Sequence, residues 1–316
     1  MKGRLKILLV LIAILAIVLI VAAMLGAESI SFFEMTEQQR SILFDIRLPR
    51  IFLGACVGAS LAVAGAGLQS LLRNPLAEPY LLGVSNGAAL GTMLAFVFVA
   101  DSEFARPVMA FAGAGLATLA VYRMAKSRAG MNVERLVLSG VIVTTFLSSI
   151  IVMLTTLLDA AKLRSFTFWL LGDLSQATTN GVWISLIAVI IGTIVLTSQA
   201  RALNLMMIGE RDATDFGVEV GRIRMLTFGA ASLVVGAAVA ASGSVGYVGL
   251  IVPHLIRLSV GSDNRLVVPL SAIAGAIFVV FADTIARTAI APRELPVGAI
   301  TALIGAPLFI YLLRKG

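Results

Sequence analysis

Nine separate stretches of sixteen or more residues pass without a lysine or arginine, and apolar side chains dominate each of them. They are 7–27, 51–72, 80–100, 107–122, 136–158, 182–199, 225–243, 266–286 and 296–313. A helix needs about 20 apolar residues to cross the roughly 30 Å hydrocarbon core of a bilayer, so each stretch reads as a membrane span. A tenth, 245–260, carries His254 and Arg257 around Pro253 and is the weakest of the set. With 59% hydrophobic and 13% charged residues, against about a quarter charged in soluble domains, the chain reads as an all-α integral membrane protein. About ten transmembrane helices form one domain over 1–316.

The net charge of +7 does not mark a nucleic-acid binder, because the basic residues are spread over short loops with no aromatic-studded patch. They orient the chain instead. With a cytoplasmic N-terminus, sixteen of the 24 Lys and Arg residues fall on the cytoplasmic side, as the positive-inside rule prefers. Both termini are then expected to be cytoplasmic in a plasma membrane. Lys2, Arg4 and Lys6 ahead of an apolar run imitate a signal peptide, but the run exceeds the usual h-region of about 7–15 residues and reads as a retained helix. Cys56 is the single cysteine, so no internal disulfide can form.

On this topology the longest cytoplasmic loop is 200–224. Arg201, Arg211, Arg222 and Arg224 balance Glu210, Asp212, Asp215 and Glu219, whereas a loop that only fixed orientation would be basic. Interspersed Leu203, Met206, Phe216 and Val218 suit one or two short amphipathic helices, with Gly209, Gly217 and Gly221 at turns or helix C-caps. The segment is a solvated connector or a docking element for a soluble partner. Inside the spans, Gly54, Gly58, Ala62 and Ala66, and Gly83, Gly87 and Gly91, place small residues in stripes that favour close helix packing. Thr144, Ser148 and Thr155 share one face of the fifth span, with Thr145, Ser149 and Thr156 beside them. These hydroxyls either border a polar path or bond back to their own helix. Asp283, the one acid inside a span, has Arg287 at i+4 and is expected to form a local ion pair.

The sequence contains no phosphate-binding loop, nucleophile elbow, zinc-ligand spacing or haem attachment, so no cofactor, metal or catalytic site is expected. Active transport would need an ion gradient or a separate ATPase.

Five segments together resemble the FecCD-type permeases of bacterial ABC importers for iron-siderophores, haem and cobalamin. They are Arg47-Leu-Pro-Arg50; NPLAEPYLLGVSNGAALG at 74–91; GERDATDFGVEVGR at 209–222; SGSVGYVGLIVPHLIR at 242–257; and ADTIAR followed by RELPVGAITALIGAPLFIYLL within 282–313. They span most of the chain, and only 160–181 matches loosely beyond Trp169-Leu-Leu-Gly172. The resemblance implies a ten-helix permease that works as a dimer with a second permease subunit, ABC ATPase subunits on the cytoplasmic side and an extracytoplasmic substrate-binding protein.

Carried over position by position, it assigns ATPase coupling to Glu210, Arg211, Asp215, Phe216, Gly217 and Glu219. It assigns the cytoplasmic gate to Asn74 and Leu76, with a second element at Asn132 and Val133. Thr144, Ser148 and Thr155 become pathway-lining residues, and Arg47, Arg50 and Arg287 become docking points for acids of the binding protein. An iron-siderophore is the first substrate expected, with haem and cobalamin next. A secondary carrier using Asp283 for proton coupling is the alternative from a different class, and a membrane enzyme has no constellation to support it.

Overall fold

The structure is a computed structural model and describes residues 2–26, 35–99, 104–127 and 130–315. The helices are α1 (Lys2–Met24), α2 (Glu37–Ser41), α3 (Leu48–Leu71), α4 (Val84–Phe98), α5 (Ala105–Ala125), α6 (Val133–Thr155) and α7 (Ala160–Leu170). There follow α8 (Thr179–Ser198), α9 (Ala200–Ile208), α10 (Glu210–Asp215), α11 (Val220–Ser242), α12 (Val248–Val260), α13 (Asn264–Thr288) and α14 (Val297–Lys315). A π-helical turn, Ile42–Arg47, joins α2 to α3, and a 3-10 turn, Pro79–Leu82, leads into α4. Among the described residues seven helices are long and apolar enough to cross a membrane, and three shorter apolar helices (Val84–Phe98, Val248–Val260 and Val297–Leu312) complete the expected ten.

α3 is the central post, with 89% of its most apolar window buried, whereas α1 is peripheral with 11%. α13, α11, α8 and α12 surround α3, and α4 pairs with α5. The small-residue stripes explain the close approach. A β-carbon on Gly58 would collide with the carbonyl of Gly275, and one on Gly65 with that of Gly249. Lipid tails are as apolar as leucine, so helices associate in a bilayer through such contact rather than through a hydrophobic drive.

Two spans differ from the sequence expectation. The third begins at Val84 rather than near 80, because Pro79–Leu82 forms the 3-10 turn. The 245–260 span is a non-helical stretch, 243–247, followed by the 13-residue α12, and Tyr247 at the junction has φ +67°. α12 runs on through Pro253, so the break in this span lies upstream of the proline. The composite still traverses the bundle. Gly243 touches Trp169 and Gly172, while Arg257 reaches Ala66 and Ser70 near the far end of α3.

α7 was not anticipated. Asp159 caps it by accepting from the Lys162 N–H at 2.8 Å, and Phe166 stacks on Trp169 and meets Phe96 edge-on, each at 6.3 Å between centroids. Residues after it tie two spans together: the Asp173 N–H donates to the Ser242 carbonyl at 2.8 Å and the Val297 N–H to the Gly172 carbonyl at 3.1 Å.

Candidate functional site

At one end of the bundle, the loop face, α9 and α10 fold back onto the spans. Leu203, Met206 and Ala213 are buried at 0–1% exposure and seat the pair, while Ile208 (75%) and Phe216 (74%) project outward. Arg211, Asp215, Phe216, Gly217 and Glu219 are all exposed. Gly217 has φ +81°, a left-handed conformation that glycine adopts without the β-carbon penalty, and the Val218 N–H closes the turn on the Ala213 carbonyl at 2.9 Å. Of the one or two short helices expected of this loop, two are present. Gly221 is a correction, since it lies in the first turn of α11 rather than at a turn or helix C-cap.

Glu210 behaves unlike its neighbours. Its carboxylate is paired with Arg224 of α11 and lies 3.6 Å from Arg73. A second polar node fixes α9 to the spans. Asn204 donates to Asp263 at 2.8 Å and accepts from the Asn264 backbone and side chain, and the fully buried Asn264 accepts from Ser70 at 2.8 Å and Arg257 at 3.0 Å. Burial raises the Asp263 carboxyl, but hydrogen bonds from Asn204 and the Arg265 backbone, with the Arg265 and Arg4 charges, outweigh this and hold it below the usual range.

The gate candidates are on the same face. Past the end of α3, the Asn74 side chain accepts the Leu76 N–H at 2.8 Å, an Asx turn that leaves Leu76 42% exposed. Asn132 caps α6 by accepting the Arg135 N–H at 3.0 Å, and Val133 is the first residue of that helix.

Among the candidate pathway residues, Thr144 and Ser148 face α4, where the Asn86 amide donates to the Thr144 carbonyl at 3.2 Å and to the Ser148 hydroxyl at 2.6 Å. The hydroxyls of Thr145, Ser149, Thr155 and Thr156 donate to carbonyls of their own helix, as is common for such residues in membrane helices. The buried Thr144 hydroxyl has no partner among the described residues. Thr144, Ser148 and Thr155 are half-buried and Thr145, Ser149 and Thr156 beside them are exposed, so this face is only partly covered. Asn86, the partner that organises it, was readable as the one amide in an otherwise small and apolar helix.

At the opposite end, the arginine face, Arg50 donates two nitrogens to Asp283 at 2.9–3.2 Å and a third to Glu294 at 2.7 Å. Arg287 lies 3.0 Å from the other Asp283 oxygen, which bears out the expected i+4 pair. Arg47 and Arg287 also donate to the terminal carbonyls of α1: Ala23 and Met24 for the first, Ala22 and Leu25 for the second. These carbonyls are the negative end of the helix dipole. Arg47, Arg50 and Arg287, the expected docking points, are only 5–6% exposed and are held by these acceptors. The acceptors that bury them come from distant segments and cannot be read from the local sequence.

Among the described residues no nucleophile, acid or base is poised in a cleft; the architecture is that of a multi-pass membrane transport subunit. The profile of the FecCD transport family matches residues 8–315. The chain belongs to this family and is an ABC importer permease, not an enzyme. It is 45% identical over 282 residues (89% of this chain, 76% of the relative) to the cobalamin import system permease of Halobacterium salinarum. To the hemin transport system permease of Yersinia pestis it is 36% identical over 315 residues (96% and 94%). To the iron(3+)-hydroxamate import system permease of Bacillus subtilis it is 38% identical over 290 residues (91% and 75%). A solved metal-chelate type ABC transporter in an inward-facing conformation superposes with a TM-score of 0.90 at 33% identity, covering 98% of this chain and 99% of the other. Membership of the family implies ATPase and substrate-binding partners.

Proposed function

We propose that this chain, as a dimer with itself or a paralogue, forms the membrane channel of an ATP-driven importer for a bulky metal chelate. The loop face and both termini are cytoplasmic, the ATPase subunits seat α9 and α10, and a binding protein delivers substrate at the arginine face. The observation that carries the reading is the 208–219 surface. Two large apolar side chains, Ile208 and Phe216, stand exposed among Arg211, Asp215 and Glu219 on a helix pair locked to the spans beneath. Exposed aromatic anchors amid charge are the composition of a partner interface. The gate is assigned to Asn74, Leu76, Asn132 and Val133 on the same face.

A corrinoid is the first substrate to test, supported by the 45% identical relative named for cobalamin, followed by a ferric hydroxamate and haem. The test is uptake into proteoliposomes holding the permease, its ATPase and its binding protein. Accumulation that needs ATP and persists with an uncoupler is the expected result. Uptake that collapses with the proton gradient at constant ATP would overturn the reading in favour of an Asp283-based carrier. The packing speaks against that carrier, because two arginines already hold Asp283 as a charged acceptor.

A further inference from the structure

Three segments given separate roles meet at one guanidinium on the loop face. Arg224 lies in the second turn of α11 with its side chain 13% exposed. Its Nη2 pairs with Glu210, the first residue of α10, and its Nη1 donates to the Met131 carbonyl at 2.7 Å. Met131 directly precedes Asn132 and Val133. The same Glu210 carboxylate lies 3.6 Å from Arg73, which directly precedes Asn74 and has φ +49°. Thus α10 is joined by charge to the head of α6 and to the tail of α3, the two places where the gate residues sit. Neither link is a main-chain connection, so α10 could be rigidly seated without either.

We propose that Arg224 is a positioning residue for transport: with Glu210 it ties the ATPase-facing helix to both gate segments, so that a displacement of α10 reaches 74–76 and 132–133 together. This rests on the reading of 208–219 as the coupling surface. A planar guanidinium suits the task because separate nitrogens engage the carboxylate and the carbonyl at fixed angles, whereas a lysine ammonium is a single point donor.

The experiment uses the full complex in proteoliposomes with cobalamin, haem or ferric hydroxamate as the probe chelate. It measures ATPase association, chelate moved per ATP hydrolysed, and the distance between spin labels at Leu76 across the dimer with and without ATP. Arg224→Gln should assemble normally, lose transport per ATP by roughly two- to thirtyfold, the span of coupling changes made by residues between sites, and shrink the ATP-driven change at Leu76. Arg224→Lys should fall between. Adding Glu210→Gln to Arg224→Gln should cost less than the two single losses combined, because the Arg224–Glu210 contact can be lost only once and only the Arg73 contact is left to break.

Wild-type coupling in Arg224→Gln, or losses that simply add in the double variant, would overturn the proposal. If Arg224→Gln instead loses ATPase association in step with Gly217→Val, Arg224 only shapes the docking surface; the link is wrong and the coupling surface stands. If Gly217→Val too leaves association and transport intact, the coupling surface itself is wrong and the link falls with it. Should Arg224→Gln fail to fold, Arg224→Lys and Glu210→Gln carry the same comparison.

Discussion

At the arginine face Asp283 is 2% exposed between Arg50 and Arg287, and at the loop face Asp215 and Glu219 stand in the open beside Phe216. Both ends mix acids with arginines, yet only one invests that charge in holding itself together. Buried ions have lost their water, so each needs every partner it has, and breaking such a pair is far more damaging than never having built it. Exposed ions keep their water and give little to the fold; the 3.8 Å pair Arg222–Glu219, with both side chains more than two-thirds exposed, is of this kind. Charge density alone therefore does not mark a docking surface. What marks it is charge left solvated next to apolar side chains that the fold has not covered.

The sharpest way to break this contrast is Asp283→Asn. It keeps the shape and strands two buried guanidinium groups, those of Arg50 and Arg287, around a neutral amide, so stability should fall by about 3–5 kcal/mol. Thermal unfolding of the purified protein in detergent reads this directly, and an unchanged melting curve would mean the cluster is hydrated.

Next in size is Phe216→Ala on the open face. ATPase affinity should drop about tenfold or more, as for truncation of an aromatic interface anchor, with no change in melting. A loss of melting temperature without a loss of affinity would reverse the assignment.

Arg47→Gln should be milder, removing charged donors from the α1 carbonyls at a cost of about 1–3 kcal/mol. The decisive part is salt. A structural arginine leaves the ionic-strength dependence of binding-protein affinity as in wild type, whereas a docking arginine would flatten it.

Leu76→Cys in a Cys56→Ala background should perturb the fold least, since position 76 is exposed. Its disulfide across the dimer should form more readily in one nucleotide state than in another. Equal yields in every state of an intact dimer would remove Leu76 from the gate.

The spans were legible because length and apolarity alone decide whether a helix can live in hydrocarbon, and the glycine stripes were legible because helical spacing puts them on one face. α7 carried its signal in Asp159 and the Leu163, Phe166, Leu170 spacing, diluted by Lys162 and Arg164. The burial of Arg50 was not legible at all. Its partner Asp283 is 233 positions away, and from the local sequence an arginine beside Pro49 at the start of a span looks like one that snorkels to water. Nor could the α10 sequence show which of its acids faces inward, because Glu210 and Asp215 differ only in what α11 and the end of α3 bring to the first of them. The 243–247 stretch misled for a third reason: Val245 leads straight into the apolar run of α12 and reads as a helix start, and only the structure reveals non-helical chain there.

That stretch bears on how the protein is made. α12, at 13 residues, is about 20 Å long, and α4, at 15, is about 22 Å, so neither can reach across some 30 Å of hydrocarbon unaided. The non-helical residues ahead of α12 carry peptide groups that lipid cannot solvate. When the ribosome delivers them, the longer helices must already be in place to receive them, with α3 presenting the glycine notch at Gly65 that Gly249 fills. Membrane entry of this segment is thus a packing event rather than a partitioning event. A bulky residue at Gly65 would therefore be felt during synthesis, as a nascent chain left with an unfinished crossing and handed to proteolysis before any dimer could form.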